Sequence, residues 1–226
     1  MSTRIGLIVP SSNTVAEPDF YTRLPAGCSV HTARMFLEET TPEGESVMLD
    51  EHVPKAIVDL ATARPDVVVF ACTSAGALRG NEYEAELIER ISQQTGSPTV
   101  SVAASVRRTI NAQKPDRVGV ITPYVDSLNA KIRESLEADG VSVTAIHGLG
   151  ISENFTIAEV EPERIVSFAT ECFSPGDIDL LFASCTNFRA FDAREELQQA
   201  FGVPVVTSNQ AALAVALDEV GARATV

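Results

Sequence analysis

Two cysteines of this chain stand in nearly the same local sequence. Cys72 lies in VFACTS and Cys185 in FASCTN, 113 positions later, each followed by a threonine. A cysteine where an apolar strand gives way to a helix can have its thiolate stabilised by the N–H groups of the first helical turn. Thr73 and Ser74 at one place, and Thr186 and Asn187 at the other, add donors for an oxygen anion. A lone cysteine is most often a small buried hydrophobe. Two in equivalent polar settings point instead to paired thiol chemistry, either nucleophilic attack or removal and return of a proton. Cys28 and Cys172 have no such setting and read as packing residues. Neither candidate has a neighbouring histidine in sequence, which disfavours a Cys-His protease. No CxxC or HxxxH spacing occurs, and His31, His52 and His147 are scattered, so no metal site is expected.

Three further polar residues sit where such thiols could use them. Residues 10–14, PSSNT, end the first apolar run with small donors, among them Asn13. That cluster reads equally well as a helix cap, and caps lie where anions bind. Tyr124 follows Pro123 at the matching place in the second half, and Asn154 lies in a connection with little periodicity. Neither GxGxxG nor GxxxxGK is present, so no nucleotide and no other cofactor is expected.

The elements that must position these residues show as apolar runs at 5–9, 29–33, 67–71, 98–102, 117–121, 142–146, 180–183 and 204–207. Amphipathic stretches at 53–63, 82–93, 127–139, 162–172 and 194–200 lie between them. Continuous apolar strands with intervening helices predict parallel sheet buried on both faces. Gly6 recurs as Gly119, Pro10 as Pro123, Cys72 as Cys185 and Thr73 as Thr186, all at the same offset. The expected fold is therefore α/β, two pseudo-symmetric flavodoxin-like lobes with four parallel strands each and a site in the cleft between them. The lobes are expected at residues 1–98 and 99–207. Open parallel sheets bind ligands beyond the carboxyl ends of their strands, where both cysteines fall.

Composition bounds the rest. The chain has 226 residues, 45% hydrophobic and 21% charged, with a net charge of −14. No basic block is present, which argues against nucleic acid as a partner. No apolar stretch approaches the roughly 20 residues that span a bilayer, and the first strand lacks the cationic flank of a signal peptide. The expected location is cytoplasmic. The expected partners are a small dicarboxylate substrate and further copies of the chain, as a dimer or larger, with no membrane.

Several segments together resemble the maleate isomerase branch of the aspartate/glutamate racemase superfamily. They are IVPSSNT (8–14), HTARM (31–35), ACTSAG (71–76), TPY (122–124), ENFTIAEVEP (153–162), SCTN (184–187) and PVVTS (204–208). That superfamily also holds arylmalonate decarboxylases and hydantoin racemases. The resemblance implies Cys72 as nucleophile, Cys185 as proton-exchanging partner, and a cofactor-free cis–trans isomerisation of maleate or a similar short diacid. It further implies that Asn13, Tyr124 and Asn154 hold the substrate carboxylates, helped by N–H groups around Thr73, Ser74, Thr186 and Asn187. It also implies that the last helix of each half crosses the lobe boundary, so that 208–226 return to the first lobe. The chain departs from the branch in having Thr73-Ser74 after the first cysteine, where an apolar run is usual, and Glu159 where an arginine is expected. A two-thiol racemase and a catalytically silent binding module remain open alternatives. The decarboxylase branch typically lacks the first cysteine.

Overall fold

The computed structural model describes residues 2–222. The first half contains β1 (Thr3–Pro10), α1 (Ala16–Arg23), β2 (Cys28–Met35), α2 (Pro42–Val47), a π-helical turn at Met48–His52, α3 (Val53–Ala61) and β3 (Val67–Phe70). It continues with α4 (Thr73–Leu78), α5 (Asn81–Thr95), β4 (Thr99–Ser101) and α6 (Val102–Gln113). The second half runs β5 (Val118–Thr122), α7 (Asp126–Ala138), β6 (Val143–Gly148), α8 (Asn154–Ala158), α9 (Pro162–Cys172) and β7 (Leu180–Ala183). It ends with α10 (Ala190–Phe201), β8 (Val205–Thr207) and α11 (Ser208–Glu219).

Each half forms a four-stranded parallel sheet, ordered β2-β1-β3-β4 and β6-β5-β7-β8. The central strands are apolar runs because helices cover both faces; every residue of β3, β5 and β7 is buried. The sequence repeat is also a repeat of register. Ile5 pairs with Val67 and Gly6 with Val68, while Val118 pairs with Leu180 and Gly119 with Leu181. The repeated glycine has a packing cause. A Cβ on Gly6 would come within 2.9 Å of Leu60, and one on Gly119 within 2.9 Å of Ile178 and Phe173.

The expected boundary after residue 98 falls too early, because β4 pairs with β3 and belongs to the first sheet. The run expected as strand through 102 ends at Ser101, whose side chain caps α6 by accepting from the Ala103 and Ala104 N–H groups. Helix α6 meets β8 of the second half, and α11 lies against β3, β4 and α1 of the first. Of the segment 208–226 expected to return to the first lobe, residues 223–226 lie outside the described residues. Among the described residues, no helix is long and apolar enough to cross a membrane.

Candidate active site

In this strand order the first strand has neighbours reached in opposite directions, and a crevice opens beyond the carboxyl ends of the strands there. Both cysteines occupy that place, one at the end of β3 and one at the end of β7. Cys72 and Cys185 are 4% and 5% exposed, so both thiols lie inside the molecule rather than on an open wall. The two walls are laced together. Asn13 Nδ2 donates to Thr186 Oγ1 at 3.0 Å, and Thr186 Oγ1 donates to the Ala71 carbonyl at 3.2 Å. The Thr14 N–H donates to Asn187 Oδ1 at 2.9 Å, and Asn187 Nδ2 donates to the Asn154 carbonyl at 2.6 Å.

Cys72 is the N-cap of α4, in ordinary extended backbone. The helix terminus does not make it acidic. Burial pushes its thiol well above the usual value, and the nearby Glu45 and Cys185 push it the same way. The Ala75 N–H and the Ser74 hydroxyl, 3.9 Å from Sγ, oppose that shift without cancelling it. Desolvation outweighs the six-residue helix, which corrects the expectation of a helix-stabilised thiolate.

Cys185 differs in three respects. Its φ of 102° is unusual for a residue with a side chain, and such backbone persists only where surroundings enforce it. The enforcement is visible: its N–H donates to Ser208 Oγ at 3.0 Å, and its Sγ accepts from the Asn187 N–H at 3.2 Å. Burial raises the thiol to about 11, restrained by the Tyr124 hydroxyl and by the N–H groups of Asn187 and Phe188. Tyr124 is itself buried, and its phenol is pushed up by burial and by the charges of the two thiols.

The remaining expected residues fall around this pair. Thr73 donates to Ser208 Oγ at 2.9 Å, so one hydroxyl ties the Cys72 wall to the Cys185 backbone. Ser74 turns its hydroxyl to Glu45. Asn13 Oδ1 caps α1 by accepting from Val15 and Ala16, and its Nδ2 has a second N–H beyond the bond to Thr186. Asn154 starts α8; it accepts from Thr40 at 3.1 Å and donates to Ser12 at 2.7 Å. Across the mouth, the loop after β2 pairs with the loop before α8. Glu39 and Glu153 form an antiparallel bridge, Thr40 N–H donates to the Ser152 carbonyl at 2.6 Å, and Asn154 N–H to the Glu38 carbonyl at 2.9 Å.

Cys28 and Cys172 are partly buried against the core, away from this network. Among the described residues, no group of three His, Cys, Asp or Glu side chains is placed to hold a metal. The sequence reading missed four participants: Glu45, Ser208, Asn209 and Thr40. Asn209 donates to the Thr186 carbonyl and to buried Asp19. Glu45 was hidden in an acidic stretch, though its spacing to buried Met48 and Leu49 is that of one helical face. Ser208 ends a motif that was quoted, but nothing in its neighbours marks a bridging hydroxyl.

Two buried thiols in unlike settings, near enough for Cys185 to act on Cys72, can add to an activated double bond or exchange a proton at carbon. The model of the arylmalonate decarboxylase family matches residues 5–226. The maleate isomerase of Nocardia farcinica is 28% identical, over 91% of this chain and 85% of its own length. The arylmalonate decarboxylase of Bordetella bronchiseptica is 29% identical, over 97% of this chain and 92% of its own. A solved Cys-to-Ser variant of Nocardia farcinica maleate cis–trans isomerase, with a covalently bound succinylcysteine intermediate, superposes with a TM-score of 0.89 at 25% identity. The match covers 98% of this chain and 94% of that one.

Proposed function

The chain belongs to the arylmalonate decarboxylase family, and from that premise we propose that it is a cofactor-independent cis–trans isomerase. Its substrate would be maleate or a similar short unsaturated diacid. The observation that carries this reading is the unlike setting of two buried thiols, Cys185 at positive φ with its sulfur accepting from the Asn187 N–H and Cys72 in extended backbone beside Ser74, together with the succinylcysteine found in a maleate isomerase of the same fold. A C=C bond must become single before it can rotate. Cys185, whose sulfur accepts from the Asn187 N–H and is held down by the Tyr124 hydroxyl, holds the thiolate and takes the proton of Cys72. The less acidic Cys72 then provides the stronger nucleophile, because thiolate nucleophilicity falls as its pKa falls.

Cys72 sulfur forms a bond to one alkene carbon, and the π pair moves through the other carbon onto its carboxylate as an enediolate. Donors aimed at that carboxylate, from Asn13 Nδ2 or Asn154 Nδ2, stabilise the charge as it develops. Rotation about the new single bond and return of the electron pair expel Cys72 sulfur and leave the trans diacid. Cys185 then returns the proton to Cys72, so nothing is consumed.

The presence of Ser74 beside Cys72 supports a second reading, a racemase in which both thiols act at one α-carbon. Two NMR samples in D2O separate the two: the purified protein with maleate, and the purified protein with a chiral α-amino acid. Fumarate should appear with little deuterium in it. Absence of fumarate, with deuterium entering the α-position of a chiral acid instead, would favour the racemase.

A further inference from the structure

Three carboxyls are buried among the described residues: Asp19, Glu45 and Glu84. Two of them have cations. Asp19 pairs with Arg23 at 3.0 Å, and Glu84 with Arg107 at 2.5 Å. Glu45 has none. It is completely enclosed on α2, its Oε1 accepts the Ser74 hydroxyl, and its Oε2 has no hydrogen-bond partner. Helix α2 packs on α4, which brings this carboxyl to the Cys72 wall. Its charge, when present, would act on Cys72, Cys185 and Tyr124 alike. A buried polar atom left without a partner costs about 1–3 kcal/mol, and such atoms recur where a ligand supplies the missing bond.

We propose that Glu45 is a substrate-binding acid of this site, a carboxylic acid that donates from Oε2 to the substrate carboxylate beside Cys72. As a donor it reaches the oxygen on which enediolate charge develops, so the interaction tightens as the reaction proceeds. An ionised Glu45 would do the reverse, repelling both the diacid and the Cys72 thiolate. Burial favours the neutral form, raising the carboxyl to about 8 against the opposing pull of the Ser74 hydroxyl. A carboxylic acid kept protonated in an apolar site so that it can donate is a known catalytic device.

Among the described residues, no cation offsets this on Glu45. Facing Glu45 are Ser74 and Cys72 from the α4 side, with Cys185 and Tyr124 across the crevice. On the outer side the π-helical turn carries Asp50, Glu51 and His52. Arg79, at the end of α4, is engaged by Asp50 at 2.7 Å.

The inference rests on the isomerase reading for the identity of its substrate, and the test keeps the two apart. Glu45→Gln retains an N–H donor and an acceptor for Ser74, whereas Glu45→Ala retains neither. On maleate, Glu45→Ala should lower kcat/KM by roughly 30- to 100-fold, and Glu45→Gln by no more than about tenfold. Wild-type kcat/KM should rise with pH and level off near 8, because thiolate gained above that point is matched by donor lost. In Glu45→Gln the rise should continue. If Glu45→Gln is as inactive as Glu45→Ala, Glu45 is a base and the proposal is wrong. A Glu45→Gln profile that still levels off near 8 overturns it too.

A second arm needs no turnover: protection of Cys72 from iodoacetamide by succinate. Wild-type protection should weaken by roughly tenfold between about pH 7 and about pH 9.5, and that of Glu45→Gln should not. If maleate is inert but this pattern holds, the isomerase reading fails and Glu45 stands. If fumarate forms while protection is the same in all three proteins, Glu45 fails and the isomerase stands. Should Glu45→Ala not fold, the near-isosteric Glu45→Gln still decides both arms.

Discussion

Cys72 and Cys185 follow the third strand of two sheets whose first and third strands pair in the same register, yet their surroundings share little. Cys72 sits in relaxed extended backbone with the Ser74 hydroxyl and, behind it, the Glu45 carboxyl for company. Cys185 is held at positive φ, with its sulfur between a backbone N–H and the Tyr124 hydroxyl. The helices that follow the edge strands differ in kind as well. Helix α2 presents Glu45 to the first wall, while α8 presents Asn154 to the second. The repeat places the two cysteines, and the loops and short helices between strands set the surroundings of each. The strands of the crevice repeat but the backbone at its two cysteines does not, which suits a reaction in which one thiol attacks and the other handles the proton.

The largest effect should come from removing either sulfur, and the two losses should differ in kind. Cys72→Ser and Cys185→Ser should each lose at least about a thousandfold in kcat while staying folded, since each removes a step rather than a contact. After acid quench with maleate, Cys185→Ser should carry a succinyl group on Cys72. Cys72→Ser should carry none. A succinyl group on Cys185 of Cys72→Ser would reverse the assigned roles.

Next comes Tyr124→Phe, which acts on one wall only. Its hydroxyl lowers the Cys185 thiol, and a hydrogen bond to a charged group contributes about 1.5–3 kcal/mol. Its loss should cost roughly ten- to a hundredfold at neutral pH, with recovery toward alkaline pH as Cys185 ionises unaided. A uniform loss at every pH would place Tyr124 on the substrate instead.

Much of this asymmetry could not be read from sequence, for physical reasons that differ by element. The strands were legible because they are buried on both faces and so read as apolar runs. Helix α11 was not, because Ala211, Ala212, Leu213, Val215, Ala216 and Leu217 are all buried, which leaves no polar face to give a period. Helix α4 has the same difficulty and only six residues. The repeat located the thiols because it preserves strand register. It said nothing of Glu45, which has no counterpart at its offset, where the chain has Ala158. Ser208 escaped because it joins walls that are remote from it in sequence.

A smaller effect should distinguish the two asparagines, which share an amide but not a setting. Asn13→Ala removes both a wall contact and the α1 cap, and caps contribute about 0.5–2 kcal/mol. Asn154→Ala removes the contacts to Ser12 and Thr40 at the mouth. Both should weaken turnover of maleate by roughly tenfold or more. Urea unfolding should show the larger loss of stability for Asn13→Ala. Equal stability losses would mean that the mouth contacts are as structural as the cap.

The smallest effect belongs to Glu45 alone and can be read without substrate. In the unfolded chain its carboxyl titrates near the ordinary 4.5, and in the folded protein near 8. Between those values the folded state holds a proton that the unfolded state has released. The stability from this group is therefore complete below about 4.5 and is lost as pH rises through about 8. Asp19 behaves in the same direction, but only between 3.8 and about 6. The three raised thiols, Cys72, Cys172 and Cys185, act only above the ordinary thiol value of 9.0. Of these raised groups, Glu45 alone acts over the interval from about 6 to about 8. Across it the wild type should lose on the order of 2 kcal/mol in urea unfolding. Glu45→Gln should lose less, retaining only the decline that the net charge of −14 imposes on both proteins. Parallel losses in the two proteins would mean that Glu45 is already ionised in the fold. The first wall would then carry a fixed negative charge, and the difference between the walls would be one of charge rather than of donors.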